Sequence, residues 1–191
     1  MNIGIDIDDT ISKSCEQTDI YAKEYTETVL KRKFEFKKTG TNDPMWCKHL
    51  YGWNDDEDKK FWEMYYEIIV ENVKPKENAK EVINRLSKNN NIFLITARWD
   101  REDGIIMKKT VEWLKKYGIN YSKLYLGYKE KSVVVKDNKI EIFIDDNYKT
   151  CKKISKMNVR TLIMNSRMNK DIEDNDLERV FSWKEIEDKI K

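Results

Sequence analysis

Five apolar runs too short to be helices punctuate the chain: Ile3–Ile7, Ile92–Ile95, Leu124–Leu126, Ile140–Ile144 and Val159–Met164. Each is rich in β-branched or aromatic residues and reads as a strand buried on both faces. Helical patterns separate them. Ala79, Val82, Ile83 and Leu86 recur at helical spacing before the break at Asn89-Asn90-Asn91. Ile106, Thr110, Trp113, Leu114 and Tyr117 do the same before Gly118, which suits a C-cap. A further helix is expected from Asn147 to Met157. Continuous apolar strands alternating with helices predict an α/β fold, a Rossmann-like parallel sheet covered on both faces. In such a sheet, ligands sit outside the carboxyl ends of the strands.

The stretch from Cys15 to Pro75 interrupts the alternation. It predicts a helix around Asp19–Lys33, an irregular middle containing Gly40, Pro44 and Gly52, and a helix around Glu57–Asn72, with no obvious strand. This reads as a mostly helical cap inserted after the first strand, giving a core of residues 1–14 and 76–191 and a cap of residues 15–75. A chain of 191 residues is long enough for that arrangement.

Composition narrows the partners. Charged residues make up 38% of the chain, yet 37 Lys+Arg nearly balance 35 Asp+Glu, so no net field steers it to a nucleic acid polymer or a membrane. Basic runs such as Lys31-Arg32-Lys33 read as solvated helix faces. Cys15, Cys47 and Cys151 are odd in number and scattered, which fits reduced packing thiols and a cytoplasmic setting. The only histidine, His49, lies among Trp46, Leu50 and Tyr51 and reads as structural.

The strand ends carry the chemistry. The first run delivers Asp6 and Asp8 into a polar turn, the second is followed by Thr96-Ala97-Arg98, and the fourth by Asp145-Asp146. Two carboxylates about 4 Å apart repel by roughly 4 kcal/mol at an effective dielectric of about 20, so such a cluster calls for a cation or a shared proton. A lysine from the Lys129–Lys136 segment is the remaining expected contributor, and Lys129, Lys131, Lys136 and Lys139 all precede the acidic pair.

The run Asp6-Ile7-Asp8-Asp9-Thr10, with Thr96, a lysine upstream and Asp145-Asp146, resembles the motif series of the haloacid dehalogenase-like superfamily of phosphohydrolases. The helical insert, Leu94-Ile95-Thr96-Ala97-Arg98 and Lys131-Ser132-Val133-Val134 resemble its 5′-nucleotidase and 5′(3′)-deoxyribonucleotidase group. The resemblance implies Asp6 as nucleophile and Asp8 as acid and base. It implies Thr96, Ala97 and Lys131 at the phosphate, with Lys136 as second choice. It also implies Mg2+ on Asp6, the Asp8 carbonyl, Asp145 and Asp146. Thr10 would steady Asp8. Arg98, Trp46 and Trp53 are candidate substrate contacts, because aromatic faces can stack on a nucleobase. The expected ligand is a small phosphate monoester, foremost a pyrimidine deoxyribonucleotide; a homodimer is left open.

Other readings fit less well. An EF-hand loop needs Gly where Ile11 stands and Glu where Gln17 stands. A signalling receiver places its acidic pair early and its lysine late, the reverse of this order. A sugar phosphatase, or a non-catalytic relative that binds a phosphorylated ligand, would carry the same fold. Asp9 occupies a turn position where many relatives have Gly, which Asp tolerates at the risk of a further charge near the metal.

Overall fold

The computed structural model describes residues 1–38 and 46–190, with Trp46 described in its backbone alone. Six strands, β1 Asn2–Ile5, β2 Asn91–Thr96, β3 Lys123–Leu126, β4 Ile142–Asp145, β5 Arg160–Met164 and β6 Glu178–Val180, form one sheet in the order β3-β2-β1-β4-β5-β6. Every pairing is parallel. The expected α/β architecture is present, and its five anticipated strands fall in the five apolar runs.

Strand alternation separates two cores. Ile3, Ile5, Ile92, Leu94, Ile142 and Ile144 face one layer, where α4 Ala79–Leu86, α5 Ile105–Tyr117 and α8 Trp183–Ile190 cover the sheet. Ile95 and Phe143 face the other, under α6 Lys131–Asp137 and α7 Tyr148–Ser155. Both faces are dry, so the strands read as unbroken apolar runs. The predicted C-cap holds, since Gly118 takes a φ of 62° and donates its N–H to Leu114 O; α7 is capped in turn by the Asn147 side chain, which accepts from Thr150 N. No element is predicted after Met164. There β6 has only three residues, and α8 is anchored by Trp183, whose Nε1 donates to Thr10 O at 3.0 Å.

The insert holds α1 Ser14–Glu24, which continues as a π-helical turn Tyr25–Val29, then α2 Trp46–Tyr51 and α3 Asp55–Asn72. The first helix starts five residues before the expected Asp19. Its first turn is capped from a distance: the Asp9 carboxylate accepts Cys15 N at 2.9 Å, a contact that no local pattern announces. The third starts two residues before the expected Glu57 because Asn54 and Glu57 form a reciprocal capping box. The short α2 falls in the stretch expected to be irregular, of which Gly40 and Pro44 lie outside the described residues.

Ala22, Tyr25, Cys47, Leu50, Tyr51, Trp53, Phe61, Tyr65 and Ile69 bury one another in a cluster separate from the two sheet cores. The chain enters and leaves this insert side by side: Lys13 N donates to Lys74 O at 2.9 Å and Lys76 N to Ile11 O at 2.7 Å. That antiparallel clasp holds the insert beside the carboxyl end of β1. Among the described residues no helix is long and apolar enough to cross a membrane.

Gly4 sits in the middle of β1, where an added Cβ would come within 2.9 Å of Phe143 Cδ2 and 3.2 Å of Ile140 Cγ2. Close-packed interiors resist such insertion at about 1–3 kcal/mol. Gly4→Ala should therefore lower the unfolding free energy by about that amount in urea denaturation.

Candidate active site

Sheet pairing runs one residue past β1, since Asp6 N donates to Ile144 O at 2.9 Å. That bond sets Asp6 beside the end of β4, where Asp145 closes the strand and Asp146 follows. One carboxylate oxygen from each of Asp6, Asp145 and Asp146 lies within 4.8 Å of the other two. Lys131, the first residue of α6, reaches between two of them, donating to Asp6 and, at 2.7 Å, to Asp145 Oδ2. It is only 5% exposed. Of the four candidate lysines it alone is buried; Lys129, Lys136 and Lys139 are exposed.

The electrostatics follow from this crowding. Burial pushes the Asp6 carboxyl up to about 7, with Asp145 and Asp8 adding repulsion and Lys131 opposing both. Asp146 is pushed well above the carboxylate range by burial and then by Asp9, Asp145 and Asp6. Burial works against the charge on Lys131, but Asp145 and Asp6 outweigh it and hold the amine above its usual value. One ammonium against three carboxylates leaves the cluster short of positive charge. An all-oxygen donor set with that deficit fits a hard divalent cation such as magnesium.

Asp8 faces a different set of partners. It accepts from Ser14 Oγ at 2.6 Å, and from Arg98 through Nη2 at 2.7 Å and Nε at 2.9 Å. Burial alone would raise its carboxyl, but Arg98 by charge and hydrogen bond brings it below the usual value. Thr96 Oγ1 lies 3.4 Å from Asp8 Oδ2 and accepts the Arg98 N–H at 3.1 Å. Exposed Ala97 follows it.

Three expectations change. Thr10 does not steady Asp8: its hydroxyl is buried without a hydrogen bond, and Ser14, which the sequence reading did not single out, takes that part. Arg98 is not an open substrate contact, being buried with its guanidinium committed to Asp8 and Thr110. Trp53 is buried in the insert, with Nε1 donating to Thr26 Oγ1 at 3.1 Å, because its flat ring fills the aromatic cluster with Tyr25, Tyr51 and Phe61. The side chain of Trp46 lies outside the described residues.

Aromatic surface is available elsewhere. Trp62, Tyr66 and Trp99 line an open cleft of about 380 Å³ with Lys59, Glu63 and Arg101. Trp99 is 45% exposed and stacks on Tyr66 with ring centroids 3.9 Å apart. It follows the Thr96-Ala97-Arg98 run directly, so the same strand-end rule reaches it. Applied to β5, that rule also finds Ser166, which works against the upward push on the Asp146 carboxyl. Nearby, Asn169 Nδ2 donates to Asp146 O at 2.6 Å. Asp9 takes a φ of 55°, the left-handed geometry that favours Gly or Asp, and its charge does bear on Asp146.

Removing one partner of a buried ion pair typically costs about 3–5 kcal/mol because it strands the other charge. Lys131→Met should reduce the unfolding free energy by about 3 kcal/mol, whereas Lys136→Met should leave it within about 0.5 kcal/mol. Paired denaturation curves at neutral pH measure both.

Comparison with known proteins agrees with this geometry. Residues 1–191 match the family described as 5′ nucleotidase, deoxy (Pyrimidine), cytosolic type C protein. A nucleotidase of Clostridium acetobutylicum is 29% identical, over 97% of this chain and 91% of that protein. Among solved structures, a haloacid dehalogenase-like family hydrolase from Streptococcus pneumoniae superposes with a TM-score of 0.67 at 14% identity, covering 100% of this chain and 98% of that one. A β-phosphoglucomutase from Clostridium difficile superposes at 0.60 and 13%, covering 97% and 92%.

Proposed function

The chain belongs to the cytosolic type C 5′-nucleotidase family and is a haloacid dehalogenase-like phosphoric monoester hydrolase; from that premise we propose that it hydrolyses nucleoside monophosphates, pyrimidine deoxyribonucleotides foremost, in the cytoplasm. The observation that carries the chemistry is the cluster of Asp6, Asp145 and Asp146 bridged by Lys131.

Asp6 attacks phosphorus with a carboxylate oxygen. The bond from phosphorus to the alcohol oxygen breaks, Asp8, ionised in the free site and protonated as the phosphate monoester binds, gives that proton to the oxygen, and the phosphoryl group stays on Asp6 as an acyl phosphate. Water then attacks phosphorus, Asp8 takes its proton, and the bond to Asp6 breaks to release inorganic phosphate. Both carboxyl groups return to their starting states. Asp6, Asp145, Asp146 and the Asp8 carbonyl would hold magnesium, which when bound supplies positive charge toward the phosphoryl oxygens. Lys131 keeps the nucleophile in place and adds its own charge, while Thr96 and the backbone at Ala97 receive the phosphoryl oxygens. Such positioning and charge compensation are the main requirement of phosphoryl transfer.

Residues 15–75 act as the cap over a core of 1–14 and 76–191. The cleft of Trp62, Tyr66 and Trp99 supports a planar base as the leaving-group side of the substrate. It adjoins the chemistry through Tyr66, whose hydroxyl feels Asp8 and Arg98.

A panel of 5′- and 3′-monophosphates and sugar phosphates, assayed with magnesium and with chelator, tests this reading. Pyrimidine deoxynucleotides should be turned over fastest, and only with metal; faster hydrolysis of sugar phosphates would remove the substrate assignment and leave the chemistry. Asp6→Asn should abolish turnover without loss of fold. Trp99→Ala should weaken nucleotide binding by about tenfold, within the 1–3 kcal/mol worth of one stacked base, while sparing glycerol phosphate.

A further inference from the structure

Arg98 is buried, although arginine is among the residues least often found inside a protein. Its surroundings fix it from every side. Nη1 donates to Thr110 Oγ1 on α5 at 3.2 Å, its backbone N–H is held by Thr96, and the guanidinium carbon lies 5.9 Å from the centroid of the Trp113 ring. Trp113 is itself tied down, donating Nε1 to Val73 O at 2.6 Å. The remaining donors, Nε and Nη2, go to the two oxygens of Asp8 as a fork. A planar fork on a carboxylate sets its plane as well as its position, which one ammonium cannot do. By contrast the Asp8 carboxylate itself stays partly open, with 38% of the side chain exposed.

We propose that Arg98 is a positioning residue, which holds the plane of the Asp8 carboxylate toward the phosphoryl group through a framework formed by Thr96, Thr110 and Trp113. The inference rests on the reading of Asp8 as the proton-transfer group. Arg98 makes no hydrogen bond to Asp6, Asp145 or Asp146, so the lysine-bridged cluster keeps its own contacts without it. A loosened Asp8 should therefore impair both proton transfers and spare the attack by Asp6. An ester with a good leaving group needs no proton in the first step, so its loss should fall on the second.

That separation gives a test that a merely structural role would not pass. In a rapid-mixing experiment with p-nitrophenyl phosphate and magnesium, Arg98→Met should release nitrophenolate in a burst of about one per active site. Steady turnover should then be about 10²–10³-fold below the parent, within the roughly 10²–10⁴-fold that a positioned acid–base group contributes. Phosphate should be recovered on Asp6 by acid quench. With a nucleoside monophosphate, whose alkoxide leaves poorly, the same variant should show no burst. Asp8→Asn, run in parallel, should behave alike. A burst in Asp8→Asn with none in Arg98→Met would overturn the role of Arg98 and leave Asp8 standing; no burst in either would take down both. Should Arg98→Met fail to fold, Thr110→Val removes one anchor while keeping side-chain shape. It should give a smaller burst, and its absence would count against the proposal.

Discussion

One ammonium group between two buried carboxylates is the contact on which the catalytic end of this molecule depends. Lys131 joins β1 to β4 through Asp6 and Asp145, and the two acids could not share that space uncompensated. The arrangement is still deficient in positive charge. Asp146 stands beside it with Asp9 at its back, and both are pushed toward the neutral form by burial. A structure evolved only for stability would gain by replacing such a cluster with apolar side chains. Its retention makes sense where a cation and a phosphoryl group enter.

The sheet provides the means of bringing these groups together. In a parallel sheet every strand delivers its carboxyl end to the same edge, so residues far apart in the chain converge without long loops. Asp6 and Asp145 end adjacent strands, and Thr96 ends the strand on the other side of β1. Two proton-linked environments result within a few residues. Asp6 lies in the lysine-bridged, crowded half, whereas Asp8 turns to Ser14 and Arg98. Opposite surroundings for neighbouring carboxylates are a recurrent way of assigning them different parts in catalysis.

Much of this was legible locally. Strands and core helices appear as apolar runs and helical periodicity, because burial on both faces writes itself into consecutive residues. The acids at Asp6, Asp8 and Asp145 were findable from the rule that strand ends bear the chemistry. What escaped depends on contacts across the chain. The early start of α1 comes from Asp9, the anchoring of α8 from a tryptophan reaching Thr10, and the support of Asp8 from Ser14 and Arg98. The aromatics show the same limit: Trp53 and Trp62 are indistinguishable as sequence, and only packing makes one a core side chain and the other a wall of a cleft.

Sequence by itself determined the parallel α/β core, the helical insertion after the first strand and the set of polar residues at the strand ends, since these follow from periodicity and from the chemistry of a few consecutive residues. Tertiary structure alone decided which group holds Asp8 and which aromatic faces remain open, and it brought Lys131, already ranked first among four lysines by its motif, onto Asp6. The physical reason is that ion pairing and ring packing depend on distances of a few ångströms between residues separated by scores of positions. No local pattern encodes those distances; the register of the sheet and the clasp of the insert set them.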